Sequence, residues 1–214
     1  CKVYDNPYGI DMENCDSTNT VTENVIFDNT SGGIIITANG ASDDCSPMIT
    51  NNLIYNGAGT NVPTDIFIET TALGGTASPM ILHNTLDGAG EVGTIGIDMS
   101  NDAAGTMNAD IRFNIVTNHE QGIITSGGGT AFPTLNYNNV YGNTTDYNGF
   151  TAGPNSISSD PLYVNAAGYD FHISDTSPCR NAAASSTMDK DLDGNSRPEG
   201  IEADMGCYEY TPPP

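Results

Sequence analysis

Tryptophan is absent, and lysine and arginine together number 5 in 214 residues, against 27 aspartates and glutamates, for a formal charge of −22. So few cations exclude nucleic acid as a partner, because a phosphate backbone requires a basic face. They also disfavour an anionic membrane surface. Charged residues are only 15% of the chain, so the acidity comes from missing bases and not from dense acidic runs. No apolar run reaches the roughly 18 residues of a membrane-spanning helix. The composition also lacks what long helices need. Gly, Asn and Thr occur 24 times each, and all three oppose helix while favouring turns and strands. A helical bundle is excluded.

What is present is a repeat. An apolar residue, two variable residues, Asn, one variable residue and a second apolar residue recur at Val21–Ile26, Ile49–Ile54, Ile81–Leu86, Ile111–Val116 and Leu135–Val140. The repeat asparagines Asn24, Asn52, Asn84, Asn114 and Asn138 are spaced 28, 32, 30 and 24 residues apart. Between the copies lie short apolar strands opened by Gly or Asp, among them Gly33–Ile36, Asp65–Ile68 and Gly96–Met99. A unit this small cannot bury its apolar face alone, so copies must stack, with backbone hydrogen bonds between rungs. Variable spacing then falls in turns. The pattern predicts an all-β solenoid whose asparagines occupy a sharp corner and hydrogen-bond up the column as a ladder.

This pattern resembles the right-handed parallel β-helix of secreted bacterial proteins, over residues 1–150. After Phe150 the repeat fades into Asp160-Pro161-Leu162-Tyr163, Ser177-Pro178-Cys179-Arg180-Asn181-Ala182, Asp189–Pro198 and Asp204-Met205-Gly206-Cys207-Tyr208-Glu209. These motifs resemble the C-terminal part of the choice-of-anchor Q domain, apart from Arg180, where that pattern usually has an apolar residue. The resemblance implies terminal rungs and a disulfide-stapled cap over 151–210, a secreted or cell-surface location in a bacterium, and a Pro-rich linker at 211–214. It also implies that Cys179 pairs with Cys207. Cys15 and Cys45 are one repeat length apart, which predicts a bond between neighbouring rungs. Cys1 is left over, unpaired or available to a partner subunit.

Several groups are candidates for chemistry. Asp189, Asp191 and Asp193 alternate before Gly194, with Asn195 after it, a spacing that can supply oxygens to Ca²⁺; the resemblance implies instead a structural turn in which Arg197 ties the strand to an acid. Glu69 and Asp98 are expected side by side on adjacent rungs, with Asp11 in their column, as the acid and nucleophile or base of a glycoside hydrolase. Arg112, His119 and Glu120 form a second group. Tyr55, Tyr137 and Tyr141 would offer passive stacking to a glycan. His83 shares its repeat position with Phe113 and Tyr137, which predicts stacking, and His172 reads as an ordinary packing residue. No long insertion that would wall a cleft is evident. The leading expectation is an extracellular structural or adhesive module that self-associates end to end through its open strand edges. The alternative is a carbohydrate-active enzyme or a glycan-binding module.

Overall fold

A computed structural model describes residues 1–56 and 63–212. At five corners a residue takes the left-handed backbone conformation, and each time it is the one before the repeat asparagine. Glu23, Asn51, His83, Phe113 and Tyr137 have φ of 58°, 52°, 54°, 64° and 53°. The asparagines were expected to make that turn themselves. They instead hold it closed. Asn84 Nδ2 donates to Asn114 Oδ1 at 3.0 Å and to the Ile49 carbonyl at 2.9 Å. The Asn84 backbone N–H donates to the same Asn114 oxygen at 2.9 Å. The same pattern links Asn24 to Asn52, Asn52 to Asn84 and Asn114 to Asn138. A non-glycine left-handed residue costs about 1–2 kcal/mol, and the ladder bonds offset it by satisfying buried backbone groups.

Around this corner the chain winds as a parallel β-solenoid. The strand before the corner belongs to a five-stranded sheet, Thr20–Thr22, Met48–Thr50, Met80–Leu82, Asp110–Arg112 and Thr134–Asn136. The strand after it belongs to a first six-stranded sheet, Lys2–Tyr4, Val25–Phe27, Leu53–Tyr55, Thr85–Asp87, Ile115–Thr117 and Asn139–Tyr141. A second six-stranded sheet holds Tyr8–Glu13, Gly32–Ala38, Thr64–Thr70, Ile95–Ser100, Gln121–Ser126 and Thr145–Asn148. Period-two alternation sends Ile26, Ile54, Leu86, Val116 and Val140 inward from one sheet. Ile34, Ile36, Ile66, Ile68, Ile97 and Met99 point inward from another, and all eleven are fully buried. In-register rungs place like on like, as in Ile49–Ile81–Ile111, so one continuous core forms from units that have none alone.

The tail from about residue 159 lies along the side of the stack. Asn51 Nδ2 donates to the Lys190 carbonyl, the Gly206 N–H to the Phe113 carbonyl and the Cys207 N–H to Thr85 Oγ1. An antiparallel hairpin, Tyr163–Asn165 with Asp170–Ile173, covers the outer face of the first six-stranded sheet. Leu53 and Tyr55 pack there against Phe171 and Cys207, while Leu82, Phe113 and Ile115 pack against Ile173, Cys179 and Met205. The motif Asp189–Arg197 works through one buried ion pair, Arg197 Nη1 to Glu209 Oε1 at 3.0 Å. The same guanidinium donates to the Asp204 and Gly206 carbonyls and to His83 Nδ1. Since Arg only donates, His83 Nδ1 is an acceptor. Burial and the Arg197 charge hold its pKa well below the usual value. His83 stacks on Phe113 at 4.8 Å and Phe113 on Tyr137 at 5.6 Å, as the shared repeat position predicted.

Cys15 and Cys45 form a disulfide with Cα atoms 4.3 Å apart. Cys179 and Cys207 do not pair, contrary to the expectation, and each is a buried free thiol. The tail seats them in two different apolar clusters, and Cys179 Sγ accepts a hydrogen bond from Asn139 Nδ2. Burial pushes both thiols up to about 12, which withholds the thiolate that disulfide exchange needs. Cys1 is an exposed free thiol. Of the proposed linker, Pro213 and Pro214 lie outside the described residues.

Candidate functional site

The corner between the two six-stranded sheets differs from rung to rung. Three residues make it at 5–7, 118–120 and 142–144, and four at 28–31. Seven make it at 88–94, and on the neighbouring rung 57–62 lie outside the described residues. The connection at 88–94, with Asn56, Asn118 and the tail hairpin, walls a cleft that the sequence did not reveal.

The cleft has a volume of about 430 Å³ and is lined by Asn56, Asp87, Ala89, Gly90, Asn118, Ala166, Ala167, Tyr169 and Phe171. Its floor is polar and ordered. Asp87 Oδ2 accepts from Thr117 Oγ1 at 2.7 Å and from Asn118 Nδ2 at 2.8 Å, and Oδ1 accepts from the Ala89 N–H at 3.0 Å. Asn118 is a left-handed corner residue, φ 59°, which turns its side chain onto Asp87. The hairpin joins this network through the Tyr163 hydroxyl, 3.3 Å from Thr117 Oγ1. Burial drives the pKa of Tyr163 well above its usual value, so it stays a neutral phenol.

At Tyr169 the cleft meets a second one of about 510 Å³, which includes Lys2, Glu23, Tyr55, Asp193 and Tyr208. At Asn118 and Ala166 it meets a third of about 340 Å³, with Tyr141, Asp160 and Tyr163. Together they form a groove along the seam between the solenoid and its tail. At one end Tyr55 and Tyr169 line it, and they belong to a ring stack that continues beyond the lining. Tyr4 lies on Phe27 at 4.8 Å, Phe27 on Tyr55 at 5.2 Å and Tyr55 on Tyr169 at 4.9 Å. Tyr4 and Tyr169 are half exposed. Such rings present flat apolar faces beside hydroxyls. Another hollow, of about 640 Å³ at the end of the stack, is lined by Pro133, Leu135 and 149–154 and carries no titratable side chain.

Behind the groove wall sits a buried polar group. In the second six-stranded sheet Asp65 occupies the column position that holds Gly33 and Gly96 on adjacent rungs. A Cβ at Gly96 would strike the Val116 side chain and the Gly122 carbonyl. Asp65 Oδ1 instead accepts from Asn56 Nδ2 at 2.9 Å, and Oδ2 lies 2.9 Å from His119 Nε2. Burial raises Asp65 to about 6, with the His119 charge and hydrogen bonds opposing it. The folded protein therefore keeps a proton on Asp65, between about pH 4 and 6, that the unfolded chain has released. That contribution to stability is present at low pH and is lost as pH rises through about 6. Asp65→Asn is expected to remove it. The variant should gain on the wild type by roughly 1–3 kcal/mol between pH 4.5 and 7. Urea unfolding at both pH values tests this, and a pH-independent difference would refute it.

The other expected residues are placed as follows. Asp98 pairs in register with Phe67, and Glu69 with Ser100. The two residues are therefore diagonal neighbours, not side by side. Burial raises both pKa values, and a hydrogen bond from Ser126 opposes it at Asp98. Asp11 shares the Asp98 column three rungs away, with Ile35 and Phe67 between. None of the three lines the groove. Arg112 is bound to Asp110 on the five-stranded sheet, while His119 and Glu120 stay together at the corner. Tyr55 and Tyr141 reach the groove; Tyr137 lies in the other stack. Asp191 turns inward and accepts from the Asn195 and Glu209 N–H groups and from Asn195 Nδ2. Asp193 pairs with His172, and the Asp189 carbonyl accepts from the Arg197 N–H. Among the described residues no three Asp, Glu, His or Cys side chains converge to hold a metal ion. Lys190 and Ser196 form an antiparallel bridge and the Gly194 N–H donates to the Asp191 carbonyl, so the segment closes a turn. No helix is long and apolar enough to cross a membrane among the described residues.

The family model described as disaggregatase related matches residues 16–193, most of the chain. No curated protein and no solved structure matches it.

Proposed function

The chain belongs to the disaggregatase-related family, and we propose that it is a polysaccharide-binding β-solenoid module that works outside the cell as an adhesive unit. The observation that carries this reading is the groove between solenoid and tail. There the stacked rings of Tyr55 and Tyr169 stand beside the polar floor of Asn56, Asp87 and Asn118. A sugar ring has an apolar face and an equatorial rim of hydroxyls, and this juxtaposition answers both. Clefts that adjoin at Tyr169 and at Asn118 and Ala166 suit a stretch of polymer. The disulfide between Cys15 and Cys45 fits an oxidising exterior. The family name speaks of taking aggregates apart, which requires a grip on the material that holds them together.

Tyr169→Ala is the test. It removes the exposed ring at the junction of two clefts and leaves the solenoid core untouched. Affinity electrophoresis or titration calorimetry against a polysaccharide panel should show binding by the wild type and at least about a tenfold loss in the variant, in line with loss of a central aromatic anchor. Equal binding by both proteins would refute the groove as the site.

A further inference from the structure

We propose that protonated His172 is a latch, clipping the hairpin wall of the groove to the turn at 189–197 and letting go as pH rises. The latch stands on its own contacts; its control of glycan binding rests on the groove being the glycan site. The sequence reads His172 as an ordinary packing residue, but its ring has three partners. Nδ1 lies 2.6 Å from Asp170 Oδ1 on the same strand, Asp170–Ile173. Nε2 lies 2.9 Å from Asp193 Oδ2 on the turn. The ring stacks on Tyr208 at 3.9 Å.

Counting protons decides what this arrangement is. A carboxylate only accepts, and a neutral imidazole has one N–H. Both contacts are hydrogen bonds only when both ring nitrogens carry protons, so the ring is an imidazolium between two carboxylates. Loss of a proton turns one nitrogen into a lone pair facing an acid. The surrounding charges do not replace the one lost. Asp191 turns inward to the Asn195 and Glu209 N–H groups, Arg197 is bound to Glu209, and Lys190 donates to the Gly194 carbonyl. Lys2 and Glu23, of opposite sign, line the cleft that Asp193 and Tyr208 also line. Burial draws the pKa of His172 down, but the hydrogen bonds and charges of Asp193 and Asp170 outweigh that and hold it above the usual value. The stabilisation is therefore complete below about pH 6.5 and is lost as pH rises through the raised value.

The latch bears on the groove because the hairpin is held on two faces. Phe171 packs inward with Leu53 and Tyr55. His172, on the opposite face of the same strand, grips the turn. The turn is itself fixed to the rungs, since Asn51 Nδ2 donates to the Lys190 carbonyl. Between these two holds, Ala166, Ala167 and Tyr169 of the hairpin line the cleft. The side chains of His172, Asp170 and Asp193 are 40%, 42% and 50% exposed, so water screens the pairs and the latch modulates the wall without unfolding it.

The experiment reads hairpin and groove separately on the intact protein. Hydrogen exchange at 163–173, corrected for the intrinsic pH dependence of exchange, should show protection falling about two- to fivefold between pH 6 and 8.5. That fall should vanish in His172→Gln, which has no titrating ring, and shrink in Asp193→Asn. No fall in the wild type, or the same fall in His172→Gln, overturns the latch. For the groove, affinity electrophoresis uses gels cast with galactomannan, xylan or polygalacturonate, none of which changes charge between those pH values. Any retardation of the wild type should weaken about two- to fivefold from pH 6 to 8.5, and His172→Gln should behave at both pH values as the wild type does at pH 8.5. Retardation that ignores pH while the hairpin loosens overturns the control of binding and leaves the latch standing. Retardation in none of the gels counts against the groove reading, and the exchange result still decides the latch.

Discussion

Asn84→Ala is expected to destabilise the protein by about 3–5 kcal/mol, the range of severe buried-network losses. Its side chain is the middle of the ladder and is fully buried. The oxygen accepts from both the backbone N–H and Nδ2 of Asn52, each at 3.0 Å. The amide donates to Asn114 Oδ1 and to the Ile49 and Leu82 carbonyls. Alanine removes all of these and leaves buried backbone groups on two rungs without partners, where each costs about 1–3 kcal/mol. Asn84→Asp keeps the shape but turns a donor into an acceptor facing carbonyls, so it should be at least as damaging. Asn24, at the partly exposed end of the ladder, should lose only about 1 kcal/mol on conversion to Ala. Urea unfolding of the three variants reads this directly. An Asn84→Ala loss no larger than that of Asn24→Ala would show that the ladder bonds are not what closes the corner.

Arg197→Met should release the tail from the solenoid, at a cost of about 3–5 kcal/mol. It leaves Glu209, 2% exposed, as a buried carboxylate without its counter-charge. It also strips donors from His83 Nδ1 and from the Asp204 and Gly206 carbonyls. Glu209 meanwhile accepts from the Asp204 and Glu199 N–H groups, so the failure spreads through 189–209. The double variant Arg197→Met, Glu209→Leu removes both charges and should recover part of the loss, since an apolar pair often replaces a buried ion pair at little cost. Hydrogen exchange separates the effects. Backbone protection should fall across 160–210 in the single variant and persist in the rungs. A uniform fall, or no recovery in the double variant, contradicts this assignment. Because the hairpin forms one wall of the groove, loss of the tail should also abolish glycan binding.

Legibility in the sequence followed the range of each interaction. The rungs were readable because the Asn motif recurs at nearly constant spacing and because side chains alternate with period two. Cys15–Cys45 was readable because one repeat length brings neighbouring rungs together. Stacking of His83 on Phe113 followed from their shared repeat position, and the tie of Arg197 to an acid from the motif. The left-handed residue was misplaced by one position, since Asn tolerates that conformation but is here worth more as a ladder rung. The Cys179–Cys207 pairing failed because resemblance carries a motif and not the packing of two thiols into separate clusters. Asp98 and Glu69 share an outward face, but register is offset by two residues between them, as aligning Asp65–Ile68 with Gly96–Met99 already implies.

The groove was not legible. Its parts come from Asn56, Asp87, Asn118 and Tyr169, which share no motif and meet only where the tail folds back along the stack. Asp65 and His119 are 54 positions apart and meet because two rungs at one corner depart from the repeat. The amino-acid sequence alone determined the solenoid, its core and its ladder, because periodic residues specify neighbours one rung away. Only the tertiary structure decided where the tail lies and what it encloses. That contact depends on shape matching between a non-repeating segment and the outer faces of several rungs, which no local pattern encodes.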